Sequence, residues 1–443
     1  MHFSLIYTLW YSYNFKKKFK QSFWKLNRLL SESQYWNKDK MKEYHDAKLA
    51  ELQNISASTI FYSQNYKKSR LQKLTTDNLT ELKPLTKEII KKNPEILYNL
   101  AVNDYNVHST SGSSGDPVKV RVSFNAEAYR RAGRMRYYEW WGIKPSDRNV
   151  LIWGRSIHIN RDYSFLGRIK KLLNKRNLNI SVFDLSSESF PSLFKTITRF
   201  KPRFFRGYTS AIEQFADLCI DIKVNLKNLK LKGVIVTSEV LFEDQRKKIE
   251  SVFGCPVINE YGAADGGLIA FECPHGNMHI FEEAILVNTT FDKDILLTDL
   301  HNYAMPLINY ELGDRVHIAE GKQCRCGRSL KIIDKIEGRQ GDYIHKSNGQ
   351  WLSQYFFYYL FKDLDNEGFP DNIIKYKVIQ IDNIFNLYYI KGSSFSEEVI
   401  SHIRKKMYKK IGDKIEVNFI PVTIIEREKS GKIRFFHRIE NKS

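Results

Sequence analysis

Residues 109 to 117 read Ser109-Thr110-Ser111-Gly112-Ser113-Ser114-Gly115-Asp116-Pro117, with no apolar side chain before the proline. Such a run cannot pack a core. It does offer hydroxyls, and glycines that let backbone N–H groups come close, which are the donors a phosphate chain requires. No Gly-Lys-Ser/Thr follows, so it is not a Walker loop. A solvated linker has the same composition, and the run alone does not separate the two readings.

Immediately downstream, Val118–Val122 reads as a strand and Asn125–Trp141 as a helix rich in Tyr and Arg. Strand and helix patterns then alternate through Val150–Trp153, Ser164–Asn174, Ile180–Phe183, Phe190–Arg199, Ser210–Ile220, Gly233–Thr237, Glu243–Phe253 and Pro256–Asn259. That alternation predicts an α/β core with largely parallel sheets. Upstream, residues 20 to 100 read as helical, with periodic apolar positions through Gln34–Leu52 and Leu79–Ile90. Pro84 fits a helix start better than a helix middle.

From His279 the texture becomes short strands and turns, which predicts a smaller, more antiparallel β subdomain. Past about residue 340 the pattern restarts. Lys375–Ile381 and Phe385–Ile390 read as strands, Ser396–Lys410 as a helix and Lys414–Ile420 as a strand, a compact α+β unit. A boundary near Gly338–Asp342 divides the chain into domains 1–338 and 339–443.

With 443 residues, 42% hydrophobic and 14% aromatic, the chain is globular and long enough for two or more domains. Its five cysteines are odd in number and thinly spread, which argues against a disulfide framework and points to a reducing, cytoplasmic setting. The aromatic-rich stretch Met1–Phe15 runs into Lys16-Lys17-Lys18. It is too short to span a bilayer and lacks a small-residue cleavage site. It is expected to dock on the core as a first helix, the alternative being an interfacial helix. The net charge of +20 comes from lysines dispersed along the chain. That favours anionic substrates or peripheral contact with an anionic membrane, and no nucleic-acid signature accompanies it.

Four further segments complete the set. Asn259-Glu260-Tyr261-Gly262-Ala263-Ala264-Asp265-Gly266-Gly267 follows a strand, placing an aromatic face and glycines where α/β sheets bind ligands. Leu297-Thr298-Asp299-Leu300 leads to Tyr310-Glu311-Leu312-Gly313-Asp314, whose last carboxylate could accept from both hydroxyls of a ribose. Glu337-Gly338-Arg339-Gln340-Gly341-Asp342 lies on the domain boundary, and Ser430-Gly431-Lys432 makes a turn near the C-terminus. Each has an ordinary structural reading as a turn.

In this order the five segments resemble the adenylate-forming superfamily of acyl- and aryl-CoA synthetases, adenylation domains and luciferases. Within it, the likeness is to phenylacetate–CoA ligases and CapK-type proteins of capsule gene clusters. It rests also on Ile60-Phe61-Tyr62, Arg206-Gly207-Tyr208-Thr209-Ser210 and Cys324-x-Cys326-Gly327-Arg328, and covers about residues 34 to 438. The resemblance implies a large AMP-binding domain of parallel-sheet α/β subdomains and a smaller β subdomain, followed by a small mobile α+β lid.

The implied activity is activation of an organic acid by Mg-ATP to an acyl-adenylate, with release of pyrophosphate. Thioester formation then follows, with coenzyme A or a carrier-protein thiol as acceptor. In that scheme Ser109, Thr110, Ser111, Gly112, Ser113, Ser114 and Gly115 hold the phosphates. Tyr261 and Gly262 face adenine, and Asp314 and Arg339 hold the ribose. Asp265 stands near Mg²⁺, and Lys432 is the catalytic residue. Positive charge at Lys432 serves a transition state that gathers negative charge.

Trp153, Arg155, Tyr208 and Ser238 are expected to line the acid pocket. Departures from the superfamily pattern are Ala264 for Thr, Asp265 for Glu, Glu311 for Arg, and Gly341 for the hinge Asp. They leave a binding-only homologue as the rival reading.

Cys273-Pro274-His275-Gly276-Asn277-Met278-His279 and Cys324-Arg325-Cys326 supply enough soft ligands for one tetrahedral Zn²⁺. The expected set is Cys273, His279, Cys324 and Cys326, with His275 as the competing histidine. Buried free thiols in a turn-rich region are the alternative.

Overall fold

Eleven of the strands join in one sheet in the computed structural model, which describes residues 2–69, 72–110, 117–154, 176–339, 343–428 and 430–439. The chain divides into two compact units, Met1–Ile336 and Glu337–Ser443.

The first unit begins with helices α1 (His2–Phe19), α2 (Phe23–Ser33), α3 (Lys38–Ser56), α4 (Ile60–Ser69) and α5 (Lys87–Lys92). Phe15, Phe19 and Phe23 are buried, with neighbouring rings edge to face at 5.0 and 5.4 Å. The N-terminal helix is therefore docked by its aromatic residues. The periodic stretch Leu79–Ile90 is a 3₁₀ turn at Leu79–Glu81 followed by α5, which starts just after Pro84 with Thr86 as its N-cap, as the placement of the proline predicts. Proline lacks the N–H and excludes the preceding residue from helical geometry.

A hairpin of β1 (Tyr105–Ser109) and β2 (Lys119–Ser123) follows, then α6 (Phe124–Trp140), capped by the Ser123 hydroxyl on the Ala126 N–H. Next come β3 (Asn149–Trp153), β4 (Asn177–Ser181), α7 (Phe190–Phe200), β5 (Phe204–Tyr208), α8 (Thr209–Asp221), β6 (Gly233–Thr237), α9 (Glu243–Phe253) and β7 (Val257–Ala263). Strands β4, β3, β5, β6 and β7 lie parallel in that order. The pleat sends alternate residues to opposite faces. Phe204, Ile235 and Ile258 pack with Tyr138 of α6, while Phe205, Val234, Val236 and Val257 pack with Phe215 of α8 and Phe253 of α9.

The sheet continues antiparallel through β8 (Gly267–Glu272), β9 (Met278–Ile280), β10 (Ile285–Thr289), β11 (Asp294–Asp299), β12 (Tyr310–Ala319) and β13 (Ile332–Arg339). Its full order is β10-β11-β12-β13-β9-β8-β7-β6-β5-β3-β4. The fold is α/β, as the alternation predicts. The antiparallel strands extend the parallel sheet itself, starting at β8, upstream of the His279 change in texture. The predicted helix Ser164–Asn174 lies outside the described residues.

In the second unit, the hairpin β14 (Tyr343–His345) and β15 (Trp351–Ser353) precedes α10 (Tyr355–Lys362), β16 (Ile373–Ile381), β17 (Ile384–Lys391), α11 (Glu397–Ile411), β18 (Glu416–Pro421) and β19 (Phe436–Ile439). The last four strands form a sheet of order β18-β17-β16-β19. Phe357, Val378, Leu387, Ile403, Met407 and Phe436 fill its core. Among the described residues, no helix is long and apolar enough to cross a membrane.

Candidate functional site

The glycine–serine run is the connection of the β1–β2 hairpin. Ser111 to Gly115 lie outside the described residues, but the neck beneath them is defined. The Thr110 N–H donates to the Val118 carbonyl and the Val118 N–H to the Thr110 hydroxyl, both at 2.9 Å. Ser109 pairs with Lys119 as the last rung of the ladder. The strand β1 had no clear signal in the sequence, because Tyr105–Ser109 mixes polar and apolar residues and leaves Val107 exposed.

Tyr261 and Asp314 come from segments 53 residues apart, and the structure brings them together. The Tyr261 hydroxyl donates to Asp314 Oδ2 at 2.8 Å, and both residues are 9% exposed. A β-bulge falls between Tyr261 and Gly262, the kind of irregularity that re-aims side chains beside binding sites. Gly262 is obligatory there, since a Cβ would stand 2.5 Å from the Gly267 carbonyl oxygen. Gly313, just before Asp314, has φ of +78°. An aromatic face beside a carboxylate can hold a base and the diol of its sugar.

Asp265 is turned inward. It is 3% exposed; its Oδ2 accepts from the Tyr310 hydroxyl at 2.6 Å and its Oδ1 from the Gly266 N–H at 3.2 Å. Behind it, Arg130 of α6 bonds the Asp265 carbonyl at 3.4 Å and pairs with Asp299 at 3.0 Å. The carboxylate is thus engaged within the fold and not offered outward. Arg130 is a partner that the sequence pattern did not single out, and Tyr310, though part of a quoted motif, had no role assigned there. Glu311 is half-buried, and burial, with Asp294 and Glu88 nearby, pushes its carboxyl above the usual range.

Arg339 ends β13, directly after Gly338 at φ of +87°; Gly341 and Asp342 lie outside the described residues. In the second unit, Lys432 sits in a turn closed by Gly431 N–H to Glu428 O at 2.7 Å and Glu428 N–H to Lys432 O at 2.9 Å.

At the carboxyl ends of the parallel strands, Trp153 and Tyr208 lie with ring centroids 4.2 Å apart, and Ser238 holds φ of +70°. Arg155 lies outside the described residues. A charged group that sequence reading missed adjoins them. Glu260 takes Arg206 at 2.6 Å and Arg134 of α6 at 3.4 Å. Burial acts to raise the Glu260 carboxyl, but the two guanidiniums hold it below the usual range.

The four expected metal ligands do converge. Ligand atoms of Cys273, His279, Cys324 and Cys326 all lie within 4.8 Å of one another. Cys273 and Cys324 sulfurs are 3.6 Å apart, and Cys326 Sγ is 3.3 Å from His279 Nε2. A disulfide needs about 2.05 Å, whereas two thiolates on one tetrahedral zinc sit about 3.8 Å apart. His279 Nδ1 donates to the Leu330 carbonyl at 3.1 Å, which leaves Nε2 as the lone pair facing the sulfurs. Burial lowers this imidazole to about 4, so it is neutral. The donor set and tautomer fit Zn²⁺, and His279, not His275, completes the group.

No family model matches the chain. It is similar to Protein CapK of Staphylococcus aureus, with 24% identity over 420 residues that cover 89% of this chain and 90% of that protein. Among solved structures it is similar to a 2-hydroxyisobutyryl-CoA ligase in the postadenylation state with R3-HIB-AMP. The TM-score is 0.70 at 14% identity, and the match covers 93% of each chain. ATP-bound MatB from Rhodopseudomonas palustris matches with a TM-score of 0.50 at 14% identity, over 73% of this chain and 65% of that one. The chain has the fold of the adenylate-forming acyl-CoA ligases and is similar to CapK along most of its length.

Proposed function

We propose that the chain is an AMP-forming acid–thiol ligase. The carboxylate of an organic acid, acyl or aryl, attacks the α-phosphorus of ATP, giving an acyl-adenylate and expelling pyrophosphate. A thiol, foremost that of coenzyme A, then attacks the acyl carbon and releases AMP. The observation that carries this reading is the Tyr261–Asp314 pair, which sets a flat aromatic ring beside a carboxylate, a pairing suited to a base and its ribose. The likeness to a CoA ligase solved with R3-HIB-AMP and to ATP-bound MatB supports it.

In this reading the run Ser109 to Gly115 holds the leaving pyrophosphate on its hairpin neck, Tyr261 and Gly262 receive the base, and Asp314 and Arg339 take the ribose. Lys432 is the catalytic residue, supplying charge where negative charge develops. The large unit is then the adenylation domain and the small one its lid. Asp265 does not fit as a direct Mg²⁺ ligand, because its carboxylate is committed to Tyr310 and to the Gly266 N–H. It acts as a positioning residue, fixing the turn after Tyr261. Zn²⁺ at Cys273, His279, Cys324 and Cys326 would supply no chemistry; these ligands would tie the end of β8 and β9 to the loop before β13.

The CapK likeness suggests work on capsular or cell-surface polysaccharide, from the cytoplasm. The partners are small molecules, with a carrier-protein thiol as the alternative acceptor. The inward Asp265 favours a second reading, a homologue that binds nucleotide without turnover.

Pyrophosphate release, screened over aryl, fatty, hydroxy and amino acids with and without coenzyme A, separates the two. An active ligase releases pyrophosphate with at least one acid. In Lys432→Ala that release is expected to fall by at least about a hundredfold, while ATP still raises the melting temperature. Unchanged turnover in Lys432→Ala would sink the mechanism.

A further inference from the structure

Open α/β sheets bind ligands beyond the carboxyl ends of their parallel strands. Here that edge is charged. Tyr208, Thr237 and Glu260 pair across β5, β6 and β7 as the last rungs of the parallel register. On the same face Arg206 precedes Tyr208 by two residues. Its guanidinium lies 5.3 Å from the Trp153 ring, which itself leans on Tyr208.

The charges do not balance. Arg206 and Arg134 are permanently cationic, and among the described residues Glu260 is the one carboxylate paired with them. Arg206 at 2.6 Å is sufficient to neutralise Glu260, so Arg134 adds an excess positive charge. Glu260 is closed off at 4% side-chain exposure, whereas Arg206 and Arg134 remain 20% and 33% exposed. Arg134 Nε stands 3.4 Å from Glu260 Oε2, while Arg206 Nε is buried without a hydrogen-bond partner among the described residues. A part-buried excess charge is costly unless an anion meets it. A framework role, holding β7 to its neighbours, accounts for one arginine and not for two.

We infer that the acid taken by this chain carries a second anionic group, foremost a carboxylate, which docks on Arg134 and Arg206 beside the Trp153–Tyr208 wall. The inference rests on the ligase reading above and names the substrate class of that site. A neutral chain would strip water from the guanidiniums and return nothing, the situation in which enzymes discriminate most strongly.

The test is pyrophosphate release by the full chain with acids of matched length that end in methyl, carboxylate or phosphate. Carboxylate-ended acids are expected to show kcat/KM at least about tenfold above methyl-ended ones. A lead for the phosphate-ended acids would keep the inference and identify the anion as phosphate. Arg134→Met is expected to shrink the ratio between anionic and methyl-ended acids by about tenfold, chiefly through KM. An ATP-induced rise in melting temperature equal to wild type certifies that variant as folded.

Equal or better turnover of methyl-ended acids, or an unchanged ratio in a folded Arg134→Met, would overturn this inference alone. Silence with every acid, and no rise in melting temperature with ATP, would overturn the ligase reading together with it.

Discussion

Helix α6 sends two neighbouring arginines into two very different ion clusters. Arg136 meets Glu283 at 2.5 Å, with side-chain exposures of 1% and 0%. Ser33 and the Leu30 carbonyl close around them. Arg134 meets Glu260 together with Arg206, at exposures of 33% and 20%. The first cluster is balanced one to one and sealed; the second carries an extra cation and is partly open. Burial of charge alone does not distinguish framework from reception, since both glutamates are closed off. Stoichiometry and access do. Removing one partner of a sealed pair strands a buried charge at large cost, whereas an open surplus leaves room for a partner from outside, as inferred above.

The comparison breaks most visibly at Arg136. Arg136→Met leaves Glu283 buried without its counter-ion and is expected to lose about 3–5 kcal/mol of stability. A thermal melt indistinguishable from wild type would show that the sealed cluster is not framework.

Next in size is the Cys/His group, buried except for the half-buried Cys326 and suited to a cation. Cys326→Ser is expected to lower stability by roughly 3 kcal/mol when zinc is present, and by much less in chelator. Stoichiometric metal analysis accompanies the melts, and zinc-free protein of unchanged stability would dismiss the site.

Glu282, beside Glu283, tests how the sealed region handles a carboxyl with no arginine of its own. Burial, reinforced by Glu283 and opposed by Lys331, pushes it up to about 7. The unfolded chain releases this proton near 4.5, while the folded protein keeps it until about 7. Stability from this group is therefore full below about 4.5, falls as pH rises to 7 and stays reduced above. Glu282→Gln is expected to flatten that slope and to exceed wild type by about 1–3 kcal/mol at pH 8. Melts across the pH range measure it.

The smallest expected effect on stability is the most diagnostic. Arg134→Met should change stability by less than about 1 kcal/mol, yet alter the choice among acids. A large loss of stability would move Arg134 into the framework class.

Much of the fold was legible because period and punctuation are local. Alternating strands and helices gave the parallel half, and Pro84 already argued against a helix running through it. The paired motifs were legible too, as was the soft-ligand set, which needed only residue types and a metal's preference. What the sequence hid depends on distance. Arg206 and Glu260 are 54 residues apart, and Arg130 reaches Asp299 across 169. No local pattern announces which charge faces which. Asp265 is instructive in the same way, since its position in a motif suggests exposure. Its partner Tyr310, 45 residues downstream, decides that it points inward.

The end of β7 has a consequence for how this chain can change. Glu260 and Tyr261 are consecutive, so the pleat sends one toward the arginines and the other toward Asp314. In the proposed reading one strand tip thereby serves two ligands, one on each face. On that reading a substitution at Glu260 would retune which acid is accepted while the nucleotide grip, one residue on, is inherited intact. Diversification among such chains should then be read first at the position before the tyrosine.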